Sequence, residues 1–432
     1  MMRYHANPGA VAAPGAEWAA RLPAALADVR AAVVAAAPTL GGSATVYTGA
    51  AGVAFALARA ARGDAALLPL AAQQAAAAAA APALRRRPPG SVLDGQAGVA
   101  LVECLVARRA GRARGDAAAA AAPGGPLPRF AAACAAAGAP DQEGSDEILY
   151  GRSGTLLGAL TLNKELGRQA VGADAIAAIC REILRSGRSS SPTLGLAARG
   201  GPPLFYTWPE PGGRGDPYLG AAHGLVGIVN ALLHCWELLP SVDTAAQGDV
   251  LATLDYALSL ETSLPGRRAG GHWPVMCRLG GGGEVVHWCH GAPGVAMVAA
   301  KAFEVTGSPR YLEAATSAGE LVWERGLLTK GAADLPIAIP SPPLPSAGPG
   351  LCHGVSGNAY ALLSVWRATR DASWRARAER FAAFVAERPS GRGDWGAPGA
   401  PFSLFEGLGG ALCLLADLLV DAEGARFPFF EV

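Results

Sequence analysis

Apolar residues recur along this chain with a helical period, and one arrangement of them repeats seven times. After Gly224 they fall at Leu225, Ile228, Val229, Leu232 and Leu233, and after Gly291 at Val295, Val298, Ala299, Ala302 and Phe303. That spacing puts each set on one face of a helix. Every such run follows a Gly-x-x-Gly step, from Gly49 to Gly52, Gly95 to Gly98, Gly151 to Gly154, Gly224 to Gly227, Gly291 to Gly294, Gly354 to Gly357 and Gly407 to Gly410. The average period is about 60 residues, longer than the common short solenoid repeats and enough for two helices with their loops.

Charged amphipathic segments lie between the steps. In 371–387, Trp374, Ala378, Phe381 and Val385 form one face, and arginines fill much of the rest. A nearly uncharged helix alternating with an amphipathic one predicts an all-α protein, an α/α toroid with seven inner and seven outer helices in a single domain over 1–432. Glycine allows backbones to approach closely where the inner helices begin, so their N-termini should meet at one rim. Three segments interrupt the pattern. Residues 109–145 and 331–349 are read as flexible insertions, the second too rich in proline for a regular helix, and 186–217 is rich in Ser, Pro and Gly.

Composition narrows the function. Lys and Arg number 36 against 35 Asp and Glu, for a net charge of +1, which provides no basic field for a nucleic acid. The longest uncharged stretches, such as 217–236, contain His223, Asn230, His234 and several glycines where a membrane span would be continuously apolar. They are read as buried helices, with no transmembrane span. The opening MMRYHANPGA has no apolar core of a secretory signal, so the expected location is cytoplasmic, with peripheral association at the plasma membrane left open. The eight cysteines are sparse for this length and lie mostly in apolar stretches, which argues against a disulfide framework.

The residues able to do chemistry cluster at the steps. Cys289-His290-Gly291 and Cys352-His353-Gly354 begin neighbouring repeats in identical register. This places two cysteines at adjacent helix N-termini, where the helix dipole favours thiolates, and two thiolates with an imidazole make a zinc set with an open fourth position. A single Cys-His pair would read as buried packing; two in register point to zinc. Repeat logic leaves the imidazole open among His290, His353 and His287. His223 holds the corresponding position in the fourth repeat, either as a general acid or base or as a hydrogen-bonded histidine holding a loop. Cys277 and His272 lie nearer a loop than a helix start and are not read as ligands.

At this point the chain resembles the LanC-like family, in its eukaryotic glutathione-binding branch. The resemblance rests on ILYGRSGTLLGAL (148–160), YLGAAHGLVGI (218–228), VHWCHGAPGVAM (286–297), GLCHGVSGNAYALL (350–363), FSLFEGLGGALCLLADLL (402–419) and the ending ARFPFFEV. It implies a seven-layered toroid with zinc held by Cys289, Cys352 and His353, and His290 outside the ligand set. It also implies glutathione as co-substrate, its thiol added to dehydroalanine or dehydrobutyrine in peptides or proteins, including residues made by eliminating phosphate from phosphoserine or phosphothreonine. His223 would protonate the enolate that addition leaves, while Lys330 and Arg3 match basic residues that bind phosphate or a glutathione carboxylate. Three departures stand out. The segment 331–349 separates Lys330 from Cys352, so either that loop bulges out or the lysine contact is lost. Gly396 aligns where the branch carries a glutathione-contacting arginine, for which Arg392 is the substitute. Tyr150 stands before the third step where bacterial cyclases carry an aspartate, which argues against a peptide lanthionine cyclase.

The leading expectation is thus a zinc-dependent enzyme forming carbon–sulfur bonds with glutathione. Its alternatives are a non-catalytic glutathione-binding redox or signalling adaptor and a lanthionine cyclase. A seven-span receptor is disfavoured by the histidines and glycines that begin the segments. A toroidal glycosidase would use Asp94 and Glu406 as paired carboxylates and leave the two Cys-His-Gly steps without a role.

Overall fold

In the computed structural model, seven helices begin at the seven glycine steps: α2 (Ala50–Ala60), α4 (Gln96–Arg114), α6 (Arg152–Leu166), α8 (Leu225–Leu233), α11 (Ala292–Thr306), α13 (Val355–Thr369) and α15 (Leu408–Val420). The structure describes residues 3–4, 16–40, 42–114, 125–140, 144–193, 201–208, 215–264, 269–277, 285–330, 348–387 and 399–432. Each of the seven helices packs on the next, and α15 packs back on α2, so they close a ring. The second glycine of every step lies in the first helical turn. A methyl there would collide with the carbonyl of the residue six places earlier: Val46, Val92, Ile148, Ala221, Trp288, Leu351 and Leu404 in turn. The steps are therefore demanded by backbone approach, and only Gly291, with φ 95°, also needs the left-handed region.

The outer layer is formed by α1 (Ala16–Ala36), α3 (Leu68–Ala80), α5 (Pro126–Ala137), α7 (Ala173–Thr193), α10 (Ala246–Ser259), α12 (Pro309–Arg325) and α14 (Ala372–Ala386), with a short α9 (Leu239–Val242) between α8 and α10. Six of them follow the inner helix they cover. The seventh, α1, comes first in the chain and covers α15, the last inner helix. The amphipathic reading of 371–387 holds in α14, where Trp374, Ala378, Phe381 and Val385 are all buried. The chain is thus the α/α toroid that the pattern predicts, and its only described strands are the short β1 (Arg3–Tyr4) and β2 (Leu328–Lys330), paired antiparallel.

Two expectations need correction. The segment 109–145 is no simple insertion, because it contains α5, whose Phe130 and Cys134 are buried in the core. An alanine-rich stretch with few large apolar residues gives too weak a period to reveal that helix. Likewise α7 runs on into the Ser-rich segment that starts at 186. Of 331–349, residues 331–347 lie outside the described residues. One stretch, 19–39, is long and apolar enough by length and composition to cross a membrane, but Leu22, Ala25, Val29 and Val33 form a buried stripe where α1 packs on α14 and α15.

The centre of the ring is filled by the tail after α15. Phe427 stacks on Trp288 at 4.8 Å, Phe430 meets Trp288 edge-on at 5.2 Å, and Phe429 packs on Phe55 at 4.6 Å. Below them, the fully buried Asp417 of α15 accepts from Arg59 at 2.9 and 2.6 Å, from Arg62, and from the Tyr360 hydroxyl at 2.7 Å. That carboxylate joins α2, α13 and α15 at the point where the ring closes. Removing one member of such a cluster strands a buried charge.

Candidate functional site

The loops before the inner helices share one construction. Two residues before the first glycine of each step stand Tyr47, Leu93, Leu149, Ala222, Cys289, Cys352 and Phe405, and many are linked through the backbone from repeat to repeat. Ala222 N–H donates to Cys289 O (3.4 Å), Cys289 to Cys352 (3.4 Å), Cys352 to Phe405 (2.8 Å), Phe405 to Tyr47 (3.2 Å) and Tyr47 to Leu93 (2.8 Å). This girdle fixes how far each loop reaches into the rim. The next position along carries Thr48, Asp94, Tyr150, His223, His290, His353 and Glu406.

Where two adjacent loops both carry Cys, donors converge. The ligand atoms of Cys289, Cys352 and His353 all lie within 4.8 Å of one another, and all three residues are buried. Among the described residues this is the one group of three or more such donors. Burial raises the Cys352 thiol well above its ordinary value, and its hydrogen bond with Cys289 raises it further. Burial opposes protonation of His353, yet Cys352 and then Glu406 outweigh it and lift its proton affinity. A buried thiol that gives up its proton reluctantly to water gives it up readily to a cation, and two sulfurs with one imidazole suit a borderline-soft divalent ion. The residues present therefore fit a metal ion. The Tyr47 phenol lies beside Cys352 and is held well above its ordinary value by burial and then by that thiol.

His290, equivalent to His353 by repeat, does not join the group. The backbone after it turns through φ 95° at Gly291, whereas Gly354 after His353 has φ −116°, so the two imidazoles leave differently shaped loops. His290 instead faces Tyr218 at 5.6 Å and His223 at 6.5 Å between ring centroids. Burial, then His223, keeps it neutral. His287 is buried 5.8 Å from the His353 ring, with neither ring nitrogen closing a hydrogen bond, and burial pushes it down to about 3.

His223 sits where the sequence places it, on the same rim and partly open, with a partner the sequence reading missed. Its Nδ1 lies 2.9 Å from Oε2 of the buried Glu147. Glu147 is itself fixed by its own loop, accepting from Leu149 N–H at 2.9 Å and Tyr150 N–H at 2.6 Å. The carboxylate selects the tautomer with hydrogen on Nδ1 and leaves Nε2 for proton transfer. A signal for it exists. In three other loops Thr45, Ser91 and Ser403 occupy the same position and accept from the N–H three residues on. A glutamate in that place has an oxygen to spare. Tyr150 does stand where an aspartate was sought, but Glu147 brings a carboxylate to the same loop. Trp208, 4.2 Å from the His223 ring and 5.5 Å from Tyr150, adds an aromatic wall.

The basic candidates are placed by backbone alone. Arg3 and Lys330 are register partners in the β1–β2 ladder, so the chain's start meets the segment that follows α12. Arg392 lies outside the described residues. Cys277 and His272 stay apart from the thiol group, as expected: the Cys277 thiol bonds the Tyr218 carbonyl at 3.4 Å, and His272 pairs through its backbone with Thr262. Asp94 pairs with Arg87 at 2.8 Å.

Comparison with known proteins points the same way. A family model described as lanthionine synthetase C-like protein matches residues 42–432. Over 287 residues, 66% of this chain, the sequence is 36% identical to a Danio rerio protein named glutathione S-transferase LANCL1, and over 292 residues, 67% of this chain, it is 35% identical to LanC-like protein GCL1 of Arabidopsis thaliana. The chain spans 62% and 58% of the lengths of those two relatives. Among solved structures, nisin cyclase aligns with a TM-score of 0.62 over 94% of this chain and 95% of its own, at 15% identity, a likeness of fold.

Proposed function

Since the chain belongs to the lanthionine synthetase C-like family, we propose that it is a zinc-dependent enzyme that adds the glutathione thiol to dehydroalanine or dehydrobutyrine residues of peptides or proteins. The observation that carries this reading is the convergence of Cys289, Cys352 and His353 within 4.8 Å, on the rim that also presents the carboxylate-held His223. The name of the Danio rerio relative supports glutathione as the thiol.

Cys289, Cys352 and His353 would hold the zinc. Bound there, the ion supplies a positive centre that keeps a substrate thiol ionised near neutral pH. Addition forms one bond, from sulfur to the β-carbon of the acceptor, and moves the alkene pair onto the α-carbon and its carbonyl as an enolate. His223 takes up the thiol's proton at Nε2 and delivers it to the α-carbon, while Glu147 steadies the cationic ring at Nδ1. Nothing leaves and nothing is oxidised. Tyr150 and Trp208 stand beside His223 and would wall the acceptor side. Lys330 and Arg3 would bind the phosphate of phosphoserine or phosphothreonine before elimination, or a glutathione carboxylate, and Arg392 a further carboxylate of glutathione. The expected setting is the cytoplasm.

The test is a peptide carrying one dehydroalanine, incubated with glutathione and the purified protein, with the adduct followed by mass. An enzyme makes it faster than buffer and loses that advantage in His223→Ala. An adaptor binds glutathione equally in both and accelerates nothing. A cyclase closes a ring on a cysteine-containing peptide without glutathione.

A further inference from the structure

The inner helices carry the chain from the thiol rim to a second mouth, with Lys301 about 14 Å along α11 from its first residue, Ala292, by helix rise. There the ends of α8, α11 and α13, together with the tail after α15, enclose a cavity of about 370 Å³. Met297, Ala300, Phe303 and Ala368 make one wall of it apolar. Charged side chains line it as well, Lys301 on the same helix as Met297 and Phe303, and most of them are paired. Glu431 closes on Arg367 and also accepts from Ser364 at 2.7 Å and Phe427 N–H at 2.8 Å, so its oxygens are occupied. Arg370 is drawn outward to Glu423, and Lys301 leans on the exposed Glu304 at 2.8 Å. Arg426 hydrogen-bonds backbone carbonyls only, those of Glu423 and Ala425, at 2.8 and 3.0 Å, while Glu431 and Glu304 act on its charge through space.

His234 completes the wall. It follows α8, its Nε2 is buried without a hydrogen-bond partner, and burial, then Lys301, Lys164 and Arg426, keeps its ring neutral. An acceptor bound in the cavity would select the Nε2–H tautomer of this neutral imidazole and satisfy its buried nitrogen. Neutralising the negative helix ends accounts for some of the cations here, but it gives His234 Nε2 nothing to bond.

Donors thus approach from three elements: the end of α8, the last turns of α11, and the tail. A planar carboxylate has two oxygens to share among them, whereas a phosphate monoester has three terminal oxygens, one for each, and Arg and Lys both bind phosphate well. The apolar wall calls for carbon. We propose that this cavity binds the phosphate monoester of a small organic molecule, its oxyanion held by Arg426, Lys301 and His234 and its carbon body resting on Met297 and Phe303. The site is independent of the thiol rim and of the function assigned there.

Isothermal titration of the full chain with phenyl phosphate tests it, with inorganic phosphate as the comparison. Saturable binding of phenyl phosphate, weaker binding of inorganic phosphate, and a loss of about ten-fold or more in both Arg426→Ala and Lys301→Gln are expected. Arg21→Ala, an exposed arginine of the outer layer paired with Glu387, should bind as the parent does. Circular dichroism confirms that the variants are folded. No saturation at millimolar phenyl phosphate, parental affinity in Lys301→Gln, or loss of binding in Arg21→Ala instead would each overturn the assignment.

Discussion

The backbone N–H of Cys289 donates to the carbonyl of Cys352, although 63 residues separate the two along the chain. The thiols converge because their loops are consecutive links of one girdle, so the donor set is built by the ring itself rather than by a local motif. Any change that slips this link should spread the ligands before it disturbs the helices.

Metal content follows directly. Purified parent protein should contain about one zinc per chain, and Cys352→Ala and His353→Ala should lose it, because two donors hold zinc far more weakly than three. His290→Ala should keep it, since that imidazole faces His223. Metal analysis by mass spectrometry reads all three. Zinc lost from His290→Ala and kept in His353→Ala would reverse the assignment.

Glu147 sets the tautomer of His223 without touching the reacting atoms. His223→Ala should slow glutathione addition by about 10²-fold or more. Glu147→Gln, which can still accept from its own loop, should slow it by about ten-fold, mainly through kcat. Equal rates for Glu147→Gln and the parent would take that carboxylate out of the mechanism.

Gly357→Ala separates close backbone approach from helix propensity. The added methyl meets the Leu351 carbonyl, immediately before Cys352. It should cost about 1–3 kcal/mol of stability and weaken metal binding as well. Gly248→Ala in α10, where a methyl meets nothing within 4 Å, should instead stabilise by about 0.5–1 kcal/mol. Urea unfolding of both variants supplies the comparison.

Acid should unfold the chain partly through Glu431. Burial opposes its ionisation, but Arg367 and then Arg426 outweigh that and hold its carboxyl below the ordinary value. The unfolded chain therefore takes up the proton at higher pH than the folded one, so this contribution is complete above about pH 5 and drains away as the pH falls through the folded value. Glu431→Gln should be less stable than the parent at pH 7 and show a flatter loss below about pH 4. Parallel denaturation curves for both proteins across that range would exclude the pair as a cause.

Much of this was legible because it is local. The seven glycine steps and the 3.6-residue period after them mark every inner helix, and Trp374 to Val385 marks an outer one. The paired Cys-His-Gly steps mark the donor set to within a choice of imidazole; repeat logic could not make that choice, because His290 and His353 are equivalent until the backbone at Gly291 turns them apart, and only the family resemblance pointed to His353. Glu147 escaped notice for a related reason: the groups it joins are 76 residues apart, and no spacing along one loop reports a contact with another. The helix α5 was hidden by alanine, whose small side chain fits either layer and leaves little pattern.

The pairing of α1 with α15 gives this array no ends. An open stack of repeats needs polar caps and can gain or lose a unit at either terminus. Here every unit has two neighbours, and α1 must wait for α14 and α15, far along the chain, before its apolar stripe is covered. Insertions have accordingly to go into loops: removing one helical pair would change the curvature required of the other six, and the circle would no longer shut.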